Sequence, residues 1–290
     1  MSSLEFHAHK FVIVDLVPES EMQTGRHIEE CLLDVINRQS VGIVCERHKC
    51  ASDIEFVDLI TNIRSDVAEK GVVPYIHIEG HGSKDSLYFP DQSSIKWTDV
   101  FEEFRKINIL SKNNLFFSSG ACKSAYAFKA ATITKPAPVF GMLAPEKEVL
   151  SGGVVDGFVA FYKSLIMSES LNEAFNAFAD ATNVKEYALI FSQLLFEKAA
   201  YNYLTQHCMG KGRMARLENI VSQAVIETGL PVNVARKQLK KELAKPQAPA
   251  LMKFHKKFML SELYPENAKR FPFDAAKFER DVRSGKLRLA

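Results

Sequence analysis

Val72-Val-Pro-Tyr-Ile-His-Ile78 runs on into Glu79-Gly-His81-Gly82. Five of the first seven residues are β-branched or aromatic, which suits a strand buried on both faces, and the glycines that follow end it. A helical pattern precedes this segment. Asp53 stands as an N-cap, Phe56, Leu59, Ile60, Ile63 and Val67 recur at helical spacing through Lys70, and Gly71 closes the helix. A second helical pattern, Trp97–Lys106, follows it.

The same alternation repeats outward. Phe11–Val17, Val41–Cys45, Leu115–Phe117 and Pro138–Leu143 read as further strands, with helical stretches at Ile28–Arg38 and Gly153–Met167. Strands alternating with helices predict an α/β domain with a mostly parallel sheet covered by helices on both faces. In such sheets ligands collect beyond the carboxyl ends of the strands. From about Asn183 no further strand is expected: Tyr187–Leu204, Leu217–Glu227, Pro231–Leu243, Leu251–Leu263 and Asp274–Arg283 read as helices. The expected organisation is therefore an α/β domain over 1–184 and a helical, basic C-terminal extension over 185–290.

Charge supports the division. The chain of 290 residues carries 37 Lys+Arg and 35 Asp+Glu, but Met1–Leu204 holds 19 basic and 27 acidic residues whereas Thr205–Ala290 holds 18 and 8. Apolar residues make up 47% of the chain, which excludes a disordered or low-complexity protein. No run of ~18 uncharged apolar residues is present, so no transmembrane span is expected. The start lacks a basic region followed by an apolar one, and the five cysteines (Cys31, Cys45, Cys50, Cys122, Cys208) are odd in number and dispersed. A reduced, cytoplasmic setting is expected.

Two strand ends carry reactive side chains: His77-Ile-Glu-Gly-His81-Gly82, and Ser118-Ser-Gly-Ala-Cys122-Lys-Ser124. A strand-end cysteine is ordinarily a small buried hydrophobe. A thiol becomes a nucleophile only beside a base or in an electropositive setting, and an imidazole can take its proton and later return it to a leaving amine. Gly82, without a side chain, lets a backbone N–H approach a substrate carbonyl, and with the N–H of Cys122 it forms a candidate oxyanion site.

This ordered set resembles the caspase-like cysteine peptidases (clan CD). His81 and Cys122 lie 41 residues apart, close to the ~50 of caspases. Gly82–Phe89 reads as a small hairpin between them. Phe140-Gly-Met142, Val155-Asp-Gly-Phe158, Phe161-Tyr162 and Ser170-Leu-Asn-Glu-Ala174 are more similar to the bacterial CHAT branch than to animal caspases. The resemblance covers roughly 8–182. It implies a caspase-like fold and a cysteine endopeptidase in which Cys122 is the nucleophile, His81 the general base and acid, and the N–H groups of Gly82 and Cys122 the oxyanion donors. It implies no cofactor, a protein or peptide substrate, and control by a partner or ligand. Gly120-Ala-Cys122-Lys-Ser124 departs from the caspase signature, and Gly120 stands where metacaspases carry Asp, so neither aspartate nor basic-residue specificity is implied. Glu146, Glu148 and Asp156 are candidates for an acidic pocket wall in the loop after the fifth strand.

Other residues receive plainer readings. His77 is expected to be a packed or orienting residue. His77 and His81 lack the spacing and third ligand of a metal site, and Cys45-Glu-Arg-His48-Lys-Cys50, read as a strand-to-helix loop, lacks a fourth ligand for zinc; no metal is expected. Gly210-Lys-Gly-Arg213 reads as a basic loop without phosphate-loop spacing, and Ser151-Gly-Gly153 as a hinge and helix entry in a flexible loop flanking the active site. Arg236, Lys237, Lys240, Lys241, Lys245, Lys253, Lys256 and Lys257 suit docking of a regulatory protein partner or of the acidic first domain, ahead of nucleic acid; no membrane is expected. The competing reading is a catalytically silent caspase-like interaction module whose basic tail recruits a partner protein or nucleic acid.

Overall fold

In the computed structural model, which describes residues 9–39 and 42–289, the chain divides into two compact units, 1–192 and 193–290. The first is built on a six-stranded sheet. Its members are β1 (Lys10–Asp15), β2 (Val44–Lys49), β3 (Pro74–Glu79), β7 (Phe116–Ser119), β8 (Gly141–Pro145) and β9 (Tyr187–Phe191), in the order β2-β1-β3-β7-β8-β9. All neighbours pair in parallel except β8 and β9. Three short strands, β4 (His81–Gly82), β5 (Ser86–Tyr88) and β6 (Ser94–Lys96), form a separate antiparallel sheet. The hairpin expected there is formed by β4 and β5, and β6 extends it to a three-stranded meander.

The helices of this unit are α1 (Thr24–Gln39), α2 (Asp53–Lys70), α3 (Trp97–Leu110), α4 (Ser151–Ser168) and α5 (Leu171–Ala181). Alternation along β7 shows which of them cover each face. Phe116 meets Phe161 of α4, whereas its neighbour Phe117 meets Phe101 and Phe104 of α3. Every residue of β3 and β7 is buried in consequence. The expected α/β class with a mostly parallel sheet covered on both faces is what the chain adopts.

Helix α2 is bounded by local chemistry. Ser52, not Asp53, is its N-cap: the Ser52 hydroxyl accepts the N–H of Glu55, and Asp53 lies one position inside. Gly71 ends it at φ +66°, the left-handed conformation in which glycine has no Cβ penalty.

Four further readings are corrected. Residues 187–191 are a strand, and the helix read from Tyr187 begins at Ser192; the division expected at 184/185 thus precedes a strand that belongs to the first unit's sheet. An apolar run such as Tyr-Ala-Leu-Ile-Phe fits helix or strand by pattern alone, and pairing with β8 decides it. Cys45–Lys49 is strand, not loop. Gly210–Arg213 forms the first turn of a helix rather than a basic loop, while Ser151–Gly153 is the first turn of α4, in keeping with the helix entry expected there.

The second unit is helical: α6 (Ser192–His207), α7 (Gly210–Thr228), α8 (Val232–Glu242), α9 (Ala248–Phe258), α10 (Asn267–Arg270) and α11 (Ala275–Arg283). Phe196, His255, Phe273 and Phe278 form an aromatic cluster in it. The buried Glu279 carboxylate accepts the N–H groups of Gln247 and Ala248, both at 2.8 Å, and so satisfies the start of α9. Among the described residues, no helix is long and apolar enough to cross a membrane.

Candidate functional site

Strands β1, β3 and β7 are neighbours, so the loops leaving their carboxyl ends open at one edge of the sheet. Glu79 ends β3, and Gly80 follows at φ +155°, a conformation that side chains rarely adopt. It turns the chain out of the main sheet, and His81-Gly82 then begins the small one. His77 and His81 therefore do not continue along one strand face. His77 is buried in the core; His81 is exposed at the loop.

Cys122 arrives from β7. The Gly120 N–H donates to the Ile78 carbonyl (2.9 Å), which ties the end of β7 to β3, and the Ser119 hydroxyl accepts the Ala121 N–H (3.0 Å). These bonds bring the two loops together. A Cβ built on Gly82 would lie 3.0 Å from the carbonyl oxygen of Cys122 and 3.2 Å from the Ala121 Cβ, with the Trp97 ring at 3.5 Å. Only a residue without a side chain fits there unstrained. Trp97 is itself fixed from the same loop, its indole N–H donating to the Ser83 carbonyl at 2.9 Å.

The Cys122 thiol is half-buried. The backbone of Val149 meets its sulfur on both sides: the Val149 N–H donates to Sγ at 3.4 Å, and the thiol lies 3.9 Å from the Val149 carbonyl oxygen. Next to it Lys123 pairs with Glu148 at 2.6 Å. That pair raises the ammonium's pKa and lowers the carboxylate's, and the Cys122 sulfur adds a smaller attraction on Lys123. Of the three acids named as a pocket wall, Glu148 is thus engaged with Lys123. Glu146 is exposed in the loop, and Asp156 lies on α4, beyond that loop.

The imidazole of His81 reaches another group. Its Nε2 lies 2.8 Å from Oε2 of Glu21, on the loop that follows β1. Glu21 was not singled out from the sequence: a lone acid in a polar loop carries no periodicity and no motif.

Beneath these loops lies a buried polar chain that sequence reasoning missed almost entirely. Nε2–H of His77 donates to Oε1 of Glu79 at 2.7 Å, and the Thr24 hydroxyl donates to Oε2 at 2.6 Å. Nδ1 of His77 lies 2.7 Å from both the Ser118 and Tyr162 hydroxyls, which are 2.7 Å from each other. With Nε2 donating to the carboxylate, Nδ1 is left to accept from this hydroxyl pair. Burial pushes the Tyr162 phenol well above its ordinary pKa. His77 also packs edge-on to Phe158, at 4.6 Å between ring centres. The sequence signal for the cluster was a run of polar residues, His77, Glu79 and Ser118, toward the ends of strands that begin apolar.

The remaining thiols sit differently. Burial pushes Cys45 up to about 12 and Cys50 up to about 11. Among the described residues, no three His, Cys, Asp or Glu side chains converge as metal ligands. Compared with models of known protein families the chain matches none, and it matches no curated protein.

Proposed function

We propose that this chain is a cysteine endopeptidase of caspase-like fold, with Cys122 as nucleophile and His81 as general base and acid. The observation that carries the reading is the contact of Gly82 with the Cys122 carbonyl, at the common edge of two neighbouring strands. It sets the His81–Gly82 turn against the backbone of Cys122. The half-buried position of the Cys122 thiol and the open position of His81 support contact with a substrate.

In the proposed reaction His81 takes the Cys122 proton, and Sγ bonds to the substrate's carbonyl carbon as the C=O π electrons move onto oxygen. The N–H groups of Gly82 and Cys122 hold that oxyanion. Collapse breaks the C–N bond, and the amine leaves with the proton from His81. Water, deprotonated by His81, then attacks the thioester, releasing a carboxylic acid and returning the thiol. No cofactor enters the scheme. The basic helices of the second unit, with Arg236, Lys237, Lys240 and Lys241 on α8, are proposed to receive a regulatory protein partner.

The test is cleavage of a peptide library by the purified full chain beside Cys122→Ala and His81→Ala. Both variants should lose cleavage while keeping the wild-type fold, because members of a catalytic dyad act as a unit. Full activity in both places the chemistry elsewhere.

A further inference from the structure

Glu21 is held in place by more than its own ion pair. The Glu21 N–H donates to the Pro18 carbonyl at 3.0 Å, and the Gln23 amide donates to the carbonyls of Pro18 (2.7 Å) and Glu21 (3.1 Å). Lys49, at the end of β2, donates to the Gln23 side chain at 2.7 Å and pairs with Glu19. The root of this loop is fastened to the β3 loop, since the Leu16 N–H donates to the Glu79 carbonyl at 2.8 Å. A Cβ on Gly80 would lie 2.8 Å from the Leu16 Cβ. The Glu21 loop and the His81 turn are therefore one packed feature, built from the ends of adjacent strands.

The side chains of Glu21 and His81 are 45% and 59% exposed, and an ion pair so open to water adds little to stability. Its consequence is orientation. A carboxylate only accepts, so Nε2 of His81 must carry the hydrogen and Nδ1 is left with the lone pair. We infer that Glu21 is a positioning residue for His81, fixing the Nε2–H tautomer and ring direction so that Nδ1 is the nitrogen that takes the Cys122 proton. The inference rests on the peptidase reading and extends its dyad to a Glu21–His81–Cys122 constellation drawn from the ends of β1, β3 and β7.

The experiment compares wild type with Glu21→Ala, Glu21→Gln and His81→Ala in two readouts. One is the tautomer of the neutral His81 ring, from two-bond proton–nitrogen correlation spectra. The other is the rate of iodoacetamide addition to Cys122 at neutral pH, read by peptide mass spectrometry. The expected result is a predominantly Nε2–H ring in wild type and a mixture in Glu21→Ala. Cys122 alkylation should fall about tenfold in Glu21→Ala and recover partly in Glu21→Gln, whose carbonyl can still accept from Nε2. If His81→Ala slows alkylation but Glu21→Ala does not, or the tautomer is unmoved, the role of Glu21 is overturned and the dyad stands. If His81→Ala alkylates as fast as wild type, the dyad fails and Glu21 falls with it.

Discussion

Glu79 and Gly120 share one space. A Cβ added at Gly120 would overlap Oε1 of Glu79 and lie 2.7 Å from its Cδ and Oε2. The buried carboxylate at the end of β3 thus occupies the volume that a side chain two residues before Cys122 would need. The absence of an acidic residue at 120 is accounted for by steric exclusion.

Gly120→Ala should accordingly destabilise the first unit by about 1–3 kcal/mol, the usual cost of forcing extra volume into a packed interior. Urea denaturation gives the value, with a lowered midpoint and unchanged slope expected. A midpoint equal to wild type would show that Glu79 swings aside at no cost.

The His77 chain predicts a graded series. Tyr162→Phe removes one hydroxyl from a triangle in which Ser118 can still serve Nδ1, and should cost about 1 kcal/mol. His77→Phe takes the imidazole N–H from the buried Glu79 carboxylate, leaving it the Thr24 hydroxyl, and should cost about 3 kcal/mol. Chemical denaturation of both variants checks the order. Equal losses would mean that packing around Phe158, not the Glu79 bond, dominates at this position.

In the second unit, burial among Phe196, Phe273 and neighbouring groups lowers His255 to about 4. Its Nε2–H donates to the Gln193 side chain at 3.2 Å. The unfolded chain protonates this histidine near ~6.5. Between those two values the unfolded state binds the extra proton, so stability is complete above about pH 6.5 and falls as pH drops toward 4. The full contribution is about 3 kcal/mol. His255→Phe should flatten that dependence in denaturation midpoints measured from pH 7 to pH 4.5. An unchanged slope would assign the acid sensitivity to other groups.

The residues that were legible in the sequence are those whose neighbours in space are also neighbours in pattern. Residues 74–79 read as strand because both faces are buried, and α2 read clearly because its apolar stripe and Gly71 are local. Residues 44–49 did not read fully as strand, because Glu46, Arg47 and His48 sit on a half-exposed edge where polar side chains are tolerated. Residues 187–191 failed for the opposite reason: only Ser192 and Gln193 separate the apolar run from Leu194-Leu-Phe196 of α6, too short a break to mark a strand end. At the site, His81, Gly82 and Cys122 stood out by residue type at strand ends. Glu21 did not, since its partner is 60 residues away, and nothing local marks a loop acid that meets a histidine across two strands. Gly120 was visible as a departure from a signature; its cause, the Glu79 carboxylate, is a tertiary contact.

The central claim is that Cys122 is the nucleophile, and covalent capture tests it most directly. The folded chain is treated near pH 7 with a set of peptides bearing a carbonyl-linked thiol-reactive group, and the modified residue is located by mass spectrometry. Cys45 and Cys50, raised by burial to about 12 and about 11, hold very little thiolate at that pH and should stay unmodified. The account predicts one adduct, on Cys122, formed much faster than with a simple alkylating reagent and lost in His81→Ala. Labelling spread over Cys31 and Cys208, or a Cys122 adduct indifferent to both the peptide and His81, would contradict it.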